Sequence, residues 1–385
     1  MKTVCAESVL RGREAFSTLG DVTVLPDRKI GRTDLQDAQI LAIRSKTRAD
    51  EALLAGTSVR FVGTATAGFD HMDISALDRL GVAWSAAPGS NADSVAEYVA
   101  CALLRLSCRT GRPLAGLTLG IIGVGQVGSR VARVASALGM RTLLNDPPRQ
   151  RKEPENTQLV SLDETLAGSD IVTLHVPLSD DAPDATRNMA HDAFFGKLKE
   201  GVWFFNASRG EVVHEPSLWK ALESGRIAHI VLDVFNREPE VDPKLALRTD
   251  LATPHIAGYS TDGKLNGTVQ IYREACRVFG IEPSWDPAVG DTPAPTPRIE
   301  LDPGTERWEV ALDRIVRQVY EIESDDAPLR AAAAKSPAVL ASEFERLRKT
   351  YPDRREFFHT TVRLAPPHPA LDTALRGLRF RSSEA

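Results

Sequence analysis

Three positions in the second half of the chain carry side chains that together can move a proton beside an anion. Arg209 stands in Asn206-Ala207-Ser208-Arg209-Gly210, Glu238 in Asp233-Val234-Phe235-Asn236-Arg237-Glu238-Pro239, and His255 in Thr253-Pro254-His255-Ile256-Ala257-Gly258-Tyr259. A guanidinium holds a carboxylate through two parallel hydrogen bonds. An imidazole exchanges a proton near neutral pH, and a glutamate beside it fixes its orientation and favours its charged form. Each group follows a short apolar run with strand character, at 202–206, 230–233 and 251–253. Carboxyl ends of parallel strands are where open α/β sheets bind ligands. By spacing alone, a site and a set of surface or capping residues are equally good readings of the three.

A second constellation lies upstream. The apolar run 118–122 leads into Gly123-Val124-Gly125-Gln126-Val127-Gly128, and an Ala/Val-rich helical stretch follows. A strand before the glycines and a helix after them give this motif its meaning. Gly123 permits the tight turn, Gly125 lets the backbone approach a pyrophosphate, and Gly128 lets helix and strand pack closely. The first N–H groups of the helix then face the anion. Asp146 ends the next apolar run, 142–145, where a carboxylate accepts from both adenosine ribose hydroxyls and repels a 2′-phosphate. The nearby Arg149 works against that preference, but the pattern favours NAD.

These residues need elements to hold them. Short apolar runs at 3–5, 22–25, 40–43, 61–63 and 82–84 alternate with helical stretches at 8–19, 32–37, 49–54 and 74–80. A longer helix is predicted over 91–109, with Asn91 as its cap. Strands at 118–122, 142–145, 171–176, 202–206, 230–233 and 251–253 form a second alternating block. Such alternation implies parallel sheets covered by helices, so the fold class is α/β with two Rossmann-like, doubly wound domains. Pro283, Pro287, Pro293, Pro295 and Pro297 make 281–298 an extended connector. Beyond it, helices over 309–320 and 338–350 and a strand over 357–364 form a small α+β unit. Its core is too small to stand alone comfortably, so it should dock.

Composition closes off other classes. The 385 residues are 42% hydrophobic and 26% charged, with 47 basic and 52 acidic side chains and a net charge of −5. That balance fits a globular protein and disfavours nucleic-acid binding. No apolar run spans a bilayer, and Glu7 sits where a signal peptide would be apolar; a cytoplasmic location is expected. Cys5, Cys101, Cys108 and Cys276 are scattered and read as buried apolar side chains. No metal-ligand spacing exists, so no metal is expected. His71 reads as a structural hydrogen-bonder, and His175 as a residue bordering the cofactor through its backbone.

The order Arg209, Glu238, His255 after a Gly-x-Gly-x-x-Gly strand–helix unit resembles the D-2-hydroxyacid dehydrogenases. That resemblance implies catalysis by Arg209, Glu238 and His255: Arg209 on the substrate carboxylate, His255 exchanging the C2 hydroxyl proton, Glu238 paired with it. It implies NAD on Gly123, Gly125, Gln126, Val127, Gly128, Asp146, Val176, Ala207, Ser208, Arg209, Asp233 and Gly258, with Asp233 facing the nicotinamide carboxamide. Finer features narrow the branch: Gly63-Thr64-Ala65-Thr66-Ala67-Gly68 with Asp70-His71, Asp146-Pro147-Pro148-Arg149, Gly263-Lys264 with Gly267-Thr268, Asp325-Asp326-Ala327-Pro328-Leu329-Arg330, and Phe344-Glu345-Arg346-Leu347-Arg348-Lys349 with Arg354-Arg355-Glu356. They are similar to a branch that oxidises a phosphorylated four-carbon 2-hydroxy acid on a route to pyridoxal phosphate. That branch has an added C-terminal dimerisation domain and works as a homodimer.

By this resemblance, 1–90 and 259–280 form the substrate-binding domain, 91–258 the NAD-binding domain, and 299–385 the dimerisation domain, with the active site in the cleft between the first two. Arg44, Ser45, Thr66 and Tyr259 would bind substrate, with Arg44 on its phosphate and Lys46 and Arg48 solvated. Two alternatives stay open at this point: a dehydrogenase for another D-2-hydroxy acid (3-phosphoglycerate or hydroxypyruvate type), and an NAD-sensing regulatory protein on the same scaffold.

Overall fold

The computed structural model describes residues 1–288 and 297–382. Pro293 and Pro295 of the expected connector lie outside them; its described part at 281–288 contains no helix or strand. The chain divides into two compact units. One comprises the described residues of Met1–Ala92 and Tyr259–Pro295, the other those of Asp93–Gly258 and Thr296–Ala385.

In the first unit, β1 (Lys2–Ala6), β2 (Asp21–Leu25), β3 (Ile40–Ile43), β4 (Phe61–Thr64) and β5 (Ala83–Ser85) form one sheet in the order β2-β1-β3-β4-β5. Every pairing is parallel. β3 and β4 are buried along their whole length, which is why they read as continuous apolar runs rather than alternating ones. Phe16, Ile40, Leu41, Phe61 and Tyr272 fill the core. The helix Thr261–Phe279 is capped by Ser260, whose hydroxyl accepts from Gly263 N–H at 2.8 Å, and it buries Gly267, Ile271 and Ala275 at helical spacing.

Two helical expectations here need correcting. The stretch 8–19 is helical only over Gly12–Ser17, because Arg11 adopts a left-handed backbone at φ 56°. The stretch 32–37 forms only a short 3-10 turn, Arg32–Leu35.

In the second unit, β6 (Thr118–Ile122), β7 (Arg141–Asn145), β8 (Ile171–Leu174), β9 (Val202–Asn206), β10 (Ile227–Leu232) and β11 (Leu251–Ala252) lie in the order β11-β10-β9-β8-β6-β7. All pairings are again parallel. Beyond β7, a single parallel bridge joins Leu144 to Leu159, where a doubly wound sheet has its outermost strand. The strand order reverses between β6 and β8, the crevice position at which such sheets bind ligands.

The C-terminal residues belong to this second unit. β12 (Arg298–Leu301), β13 (Thr361–Leu364) and β14 (Arg381–Ser382) make a small parallel sheet. Helices Trp308–Val319, Glu323–Ala333, Pro337–Lys349 and Pro369–Gly377 surround it. Leu329, Ala332, Leu340 and Phe344 enter the same core as Phe204 and Leu245, so the small unit docks as its size demanded. The strand expected over 357–364 is a 3-10 turn, Phe357–His359, followed by β13. The helix Glu323–Ala333 escapes sequence reading because it contains Pro328, which normally signals a helix end.

Candidate active site

Three neighbouring strand ends carry the predicted acid–base residues. Asn206 at the end of β9 pairs with Leu232 of β10, which pairs with Ala252 of β11. The loops holding Arg209, Glu238 and His255 therefore leave the sheet side by side. A Cβ on Gly210 would lie 2.0 Å from the Phe235 carbonyl carbon, so glycine lets the Arg209 loop sit against the backbone that carries Glu238. Asn206 is buried and folds its own loop. Its side-chain Oδ1 accepts from Ser208 N–H at 3.0 Å and Ser208 Oγ–H at 2.8 Å, and its side-chain Nδ2 donates to the Arg209 carbonyl at 2.9 Å.

Glu238 bridges two loops. Its Oε1 accepts from Phe235 N–H at 3.0 Å and its Oε2 from His255 Nδ1–H at 2.7 Å. Burial opposes its charge, but the His255 charge, with hydrogen bonds from His255 and Phe235, holds the carboxyl below its ordinary value. His255 itself sits at φ 56°, a left-handed backbone unusual for a residue with a Cβ. Such strain persists only where the surroundings over-determine it.

Asp233 supplies that determination. Its buried carboxylate accepts from Thr253 Oγ1 at 2.7 Å, Ile256 N–H at 2.8 Å and Ala257 N–H at 3.0 Å. The His255 N–H donates to the Asp233 carbonyl at 2.7 Å. Burial pushes the Asp233 carboxyl up from its ordinary value, against the pull of His255 and these donors. Asp233, expected as a cofactor residue, also organises the histidine loop in this geometry. Tyr98, buried on the helix Ala92–Thr110, extends the chain through Thr253 at 2.8 Å.

The glycine loop leaves β6 toward the helix Gln126–Ala137. A Cβ on Gly123 would lie 2.6 Å from the His175 carbonyl oxygen, and one on Gly128 2.0 Å from the Gly123 carbonyl oxygen. Gly125 is different: a Cβ there would meet nothing within 4 Å. No protein neighbour explains that glycine, whereas a pyrophosphate lying against the backbone does, so these residues fit a dinucleotide. Asp146 accepts from Val124 N–H at 2.8 Å and Arg149 N–H at 3.0 Å, tying the loop to the end of β7. Arg149 is engaged with Glu153 at 3.0 Å and with the Val124 carbonyl at 3.1 Å. His175 hydrogen-bonds Thr173 through Nε2 at 2.9 Å, and burial holds its ring down to about 3. Val176 and Ala207 are half-buried and Ser208 is buried.

The expected substrate residues group in the first unit. Arg44 and Ser45 follow β3, and Thr66 follows β4, its paired neighbour. The Arg44 guanidinium lies 5.8 Å from the Tyr259 ring centre and donates to the Ser8 carbonyl at 3.4 Å. Lys264 stands over the same ring at 5.0 Å. Sequence reading names Lys264 only within the Gly263-Lys264 resemblance and gives it no substrate role; its spacing of five residues from Tyr259 at a helix start is the available signal. Thr66 donates to the Gly68 carbonyl at 2.7 Å. Ser45 is exposed, and Arg48 pairs with Asp50 at 3.1 Å. His71 hydrogen-bonds Thr64 at 2.9 Å.

A doubly wound sheet with a dinucleotide loop, and an Arg and a Glu–His pair at adjoining strand ends, defines a D-2-hydroxyacid dehydrogenase. Residues 102–257 match the family described as D-isomer specific 2-hydroxyacid dehydrogenase, NAD binding domain, and 292–376 match a domain of unknown function. Among solved structures, D-lactate dehydrogenase from Aquifex aeolicus, complexed with NAD and lactic acid, is similar at 27% identity and a TM-score of 0.59, covering 72% of this chain and 96% of that one. NAD-bound 3-phosphoglycerate dehydrogenase from Entamoeba histolytica is similar at 25% identity and a TM-score of 0.62, covering 73% and 95%. Erythronate-4-phosphate dehydrogenase of Klebsiella pneumoniae (strain 342) is 42% identical over 99% of this chain and 98% of its own. That of Salinibacter ruber is 42% identical over 97% of each. The chain belongs to the erythronate-4-phosphate dehydrogenase family and is an NAD-dependent oxidoreductase.

Proposed function

We propose that the chain oxidises 4-phospho-D-erythronate to 2-oxo-3-hydroxy-4-phosphobutanoate with NAD, a step toward pyridoxal phosphate. The observation that carries the chemistry is the 2.7 Å contact between His255 Nδ1 and Glu238. A carboxylate only accepts, so Nδ1 carries a proton and Nε2 is the nitrogen that acts as the base when the ring is in its neutral form. His255 takes the C2 hydroxyl proton, Glu238 stabilises the imidazolium that results, and Arg209 holds the substrate carboxylate. NAD, when bound, supplies the hydride acceptor. Gly123, Gly125, Gln126, Val127 and Gly128 receive its pyrophosphate, Asp146 its ribose, and Val176, Ala207, Ser208, Asp233 and Gly258 border the remainder.

Arg44 and Lys264, on one tyrosine ring, are the cations for the substrate phosphate, with Ser45, Thr66 and Tyr259 as hydroxyl partners. Residues 1–90 and 259–280 serve substrate binding, 91–258 NAD binding, and 299–385 homodimer formation in the cytoplasm. No helix among the described residues is long and apolar enough to cross a membrane.

The test is NAD reduction by purified protein with 4-phospho-D-erythronate, run in parallel with a 2-oxo acid present and assayed for product. Turnover that fails with unphosphorylated erythronate and with 3-phosphoglycerate supports both substrate and phosphate cations. Equal rates on 3-phosphoglycerate would transfer the assignment to that acid.

A further inference from the structure

The loop that carries His255 is held from two sides. Asp233 grips the Ile256 and Ala257 N–H groups. The carbonyl of Ala257 faces other donors: Ser94 Oγ at 2.8 Å and Arg354 Nη2 at 2.9 Å. Arg354 comes from the C-terminal segment, within the stretch that matches a domain of unknown function. It is only 6% exposed. Its guanidinium lies over the Tyr320 ring at 4.0 Å, and its Nε and Nη1 are buried without a hydrogen-bond partner. Burying a cation with donors unspent is a poor way to gain stability. What this one delivers, besides a contact with Ser94 Oγ, is a charge-assisted hydrogen bond to the peptide two residues after the catalytic imidazole.

The same segment also holds the strand that feeds the loop. Asp326 accepts from Ala252 N–H of β11 at 2.7 Å. Arg330 orients Asp326 at 2.7 Å and donates to the Leu247 and Thr249 carbonyls at 3.1 and 3.0 Å. Donors and acceptors from one C-terminal segment therefore fix the backbone both before and after His255.

We propose that the C-terminal segment is a positioning device for proton transfer, with Arg354 its positioning residue: by holding the Ala257 carbonyl against the pull of Asp233, it keeps His255 in its left-handed conformation and its Nε2 aimed at the substrate hydroxyl. The proposal rests on the reading of His255 as the base. A loop displaced by an ångström loses catalytic geometry without losing its cofactor.

The experiment uses the full-length protein with NAD and compares Arg354→Met, Arg354→Lys and Ser94→Ala. Two readouts are taken: kcat set against the Kd for NAD, and the NMR signal of the His255 ring, assigned by its loss in His255→Gln. Arg354→Met is expected to lower kcat by about 10- to 100-fold with NAD affinity within about twofold, and to displace the His255 signal. Arg354→Lys, which keeps the charge and one donor, should recover part of both.

A folded Arg354→Met protein with unchanged kcat and His255 signal overturns the proposal. So does a loss of kcat that falls in step with NAD affinity and is not recovered by lysine, since that marks a merely structural role. If Arg354→Met does not fold, Ser94→Ala decides: a kcat reduced about two- to fivefold with a displaced His255 signal supports the proposal, and no change in either overturns it. If the wild type oxidises no hydroxy acid, the activity assignment fails, and the His255 signal alone then decides the positioning claim.

Discussion

The histidine loop of the second unit and the cation pair of the first are built on opposite terms. Around His255, N–H and carbonyl groups are fixed by partners at 2.7–3.0 Å, and Glu238 contacts the imidazole at 2.7 Å. Arg44 and Lys264 lie 5.8 and 5.0 Å from the Tyr259 ring centre, and the Arg44 donation to Ser8 is long at 3.4 Å. Proton transfer needs a base whose geometry is settled before the substrate arrives. Holding a phosphate on a substrate chain needs charge within reach, and contacts that tighten on binding serve it. The two regions thus separate chemistry from recognition, and substitutions should separate them too.

The largest effect is expected at the base. His255→Ala should lower kcat about 10³- to 10⁴-fold in steady-state NAD reduction, while NAD binding measured by fluorescence stays near wild type. Near-normal turnover would remove His255 from the proton-transfer role and collapse the contrast. A smaller and differently shaped loss is expected at the cations. Arg44→Gln should raise the substrate KM about 10- to 100-fold with kcat within about threefold, and Lys264→Met should do the same more weakly. A fall in kcat at unchanged KM would place Arg44 with the chemistry instead.

Much of the frame was legible in the sequence, for a physical reason. β3, β6 and β9 are central strands of sheets covered on both faces, so each reads as an unbroken apolar run with turn residues at its ends, and its limits follow from composition. Edges were harder. The helix over 12–17 is shortened by a backbone angle at Arg11 that no propensity announces. The helix Glu323–Ala333 survives an internal Pro328 because Leu329, Ala332 and Ala333 bury in the neighbouring core. In the site, the strand ends bearing Arg209, Glu238 and His255 could be placed because loops after parallel strands are where such chemistry sits. Asn206 also had a local signal, an asparagine turning its own loop. Arg354 stood out only within the Arg354-Arg355-Glu356 resemblance, and nothing there gave its role: its partner carbonyl lies 97 positions away, and a buried arginine carries the same letter as a solvated one.

The smallest effect tests whether the precision of the second unit extends beside the cofactor loop. The His175 carbonyl oxygen would lie 2.6 Å from a Cβ on Gly123, while the ring of this half-buried residue, its Nδ1 shielded from water, is held down to about 3 by desolvation. The folded chain therefore keeps this imidazole neutral where the unfolded chain, with an ordinary value near 6.5, takes up a proton. Stability from this group is fully present above about pH 6.5 and is lost as pH falls toward about 3, at up to about 1.4 kcal/mol per pH unit. Replacing His175 by a residue that does not titrate should remove that slope. In denaturant unfolding between pH 6.5 and 4.5, His175→Gln is expected to lose less stability on acidification than wild type, whatever its stability at neutral pH. Parallel slopes would mean that the ring already meets water and protons in the fold. The wall behind the glycine loop would then be as loosely built as the cation pair of the first unit.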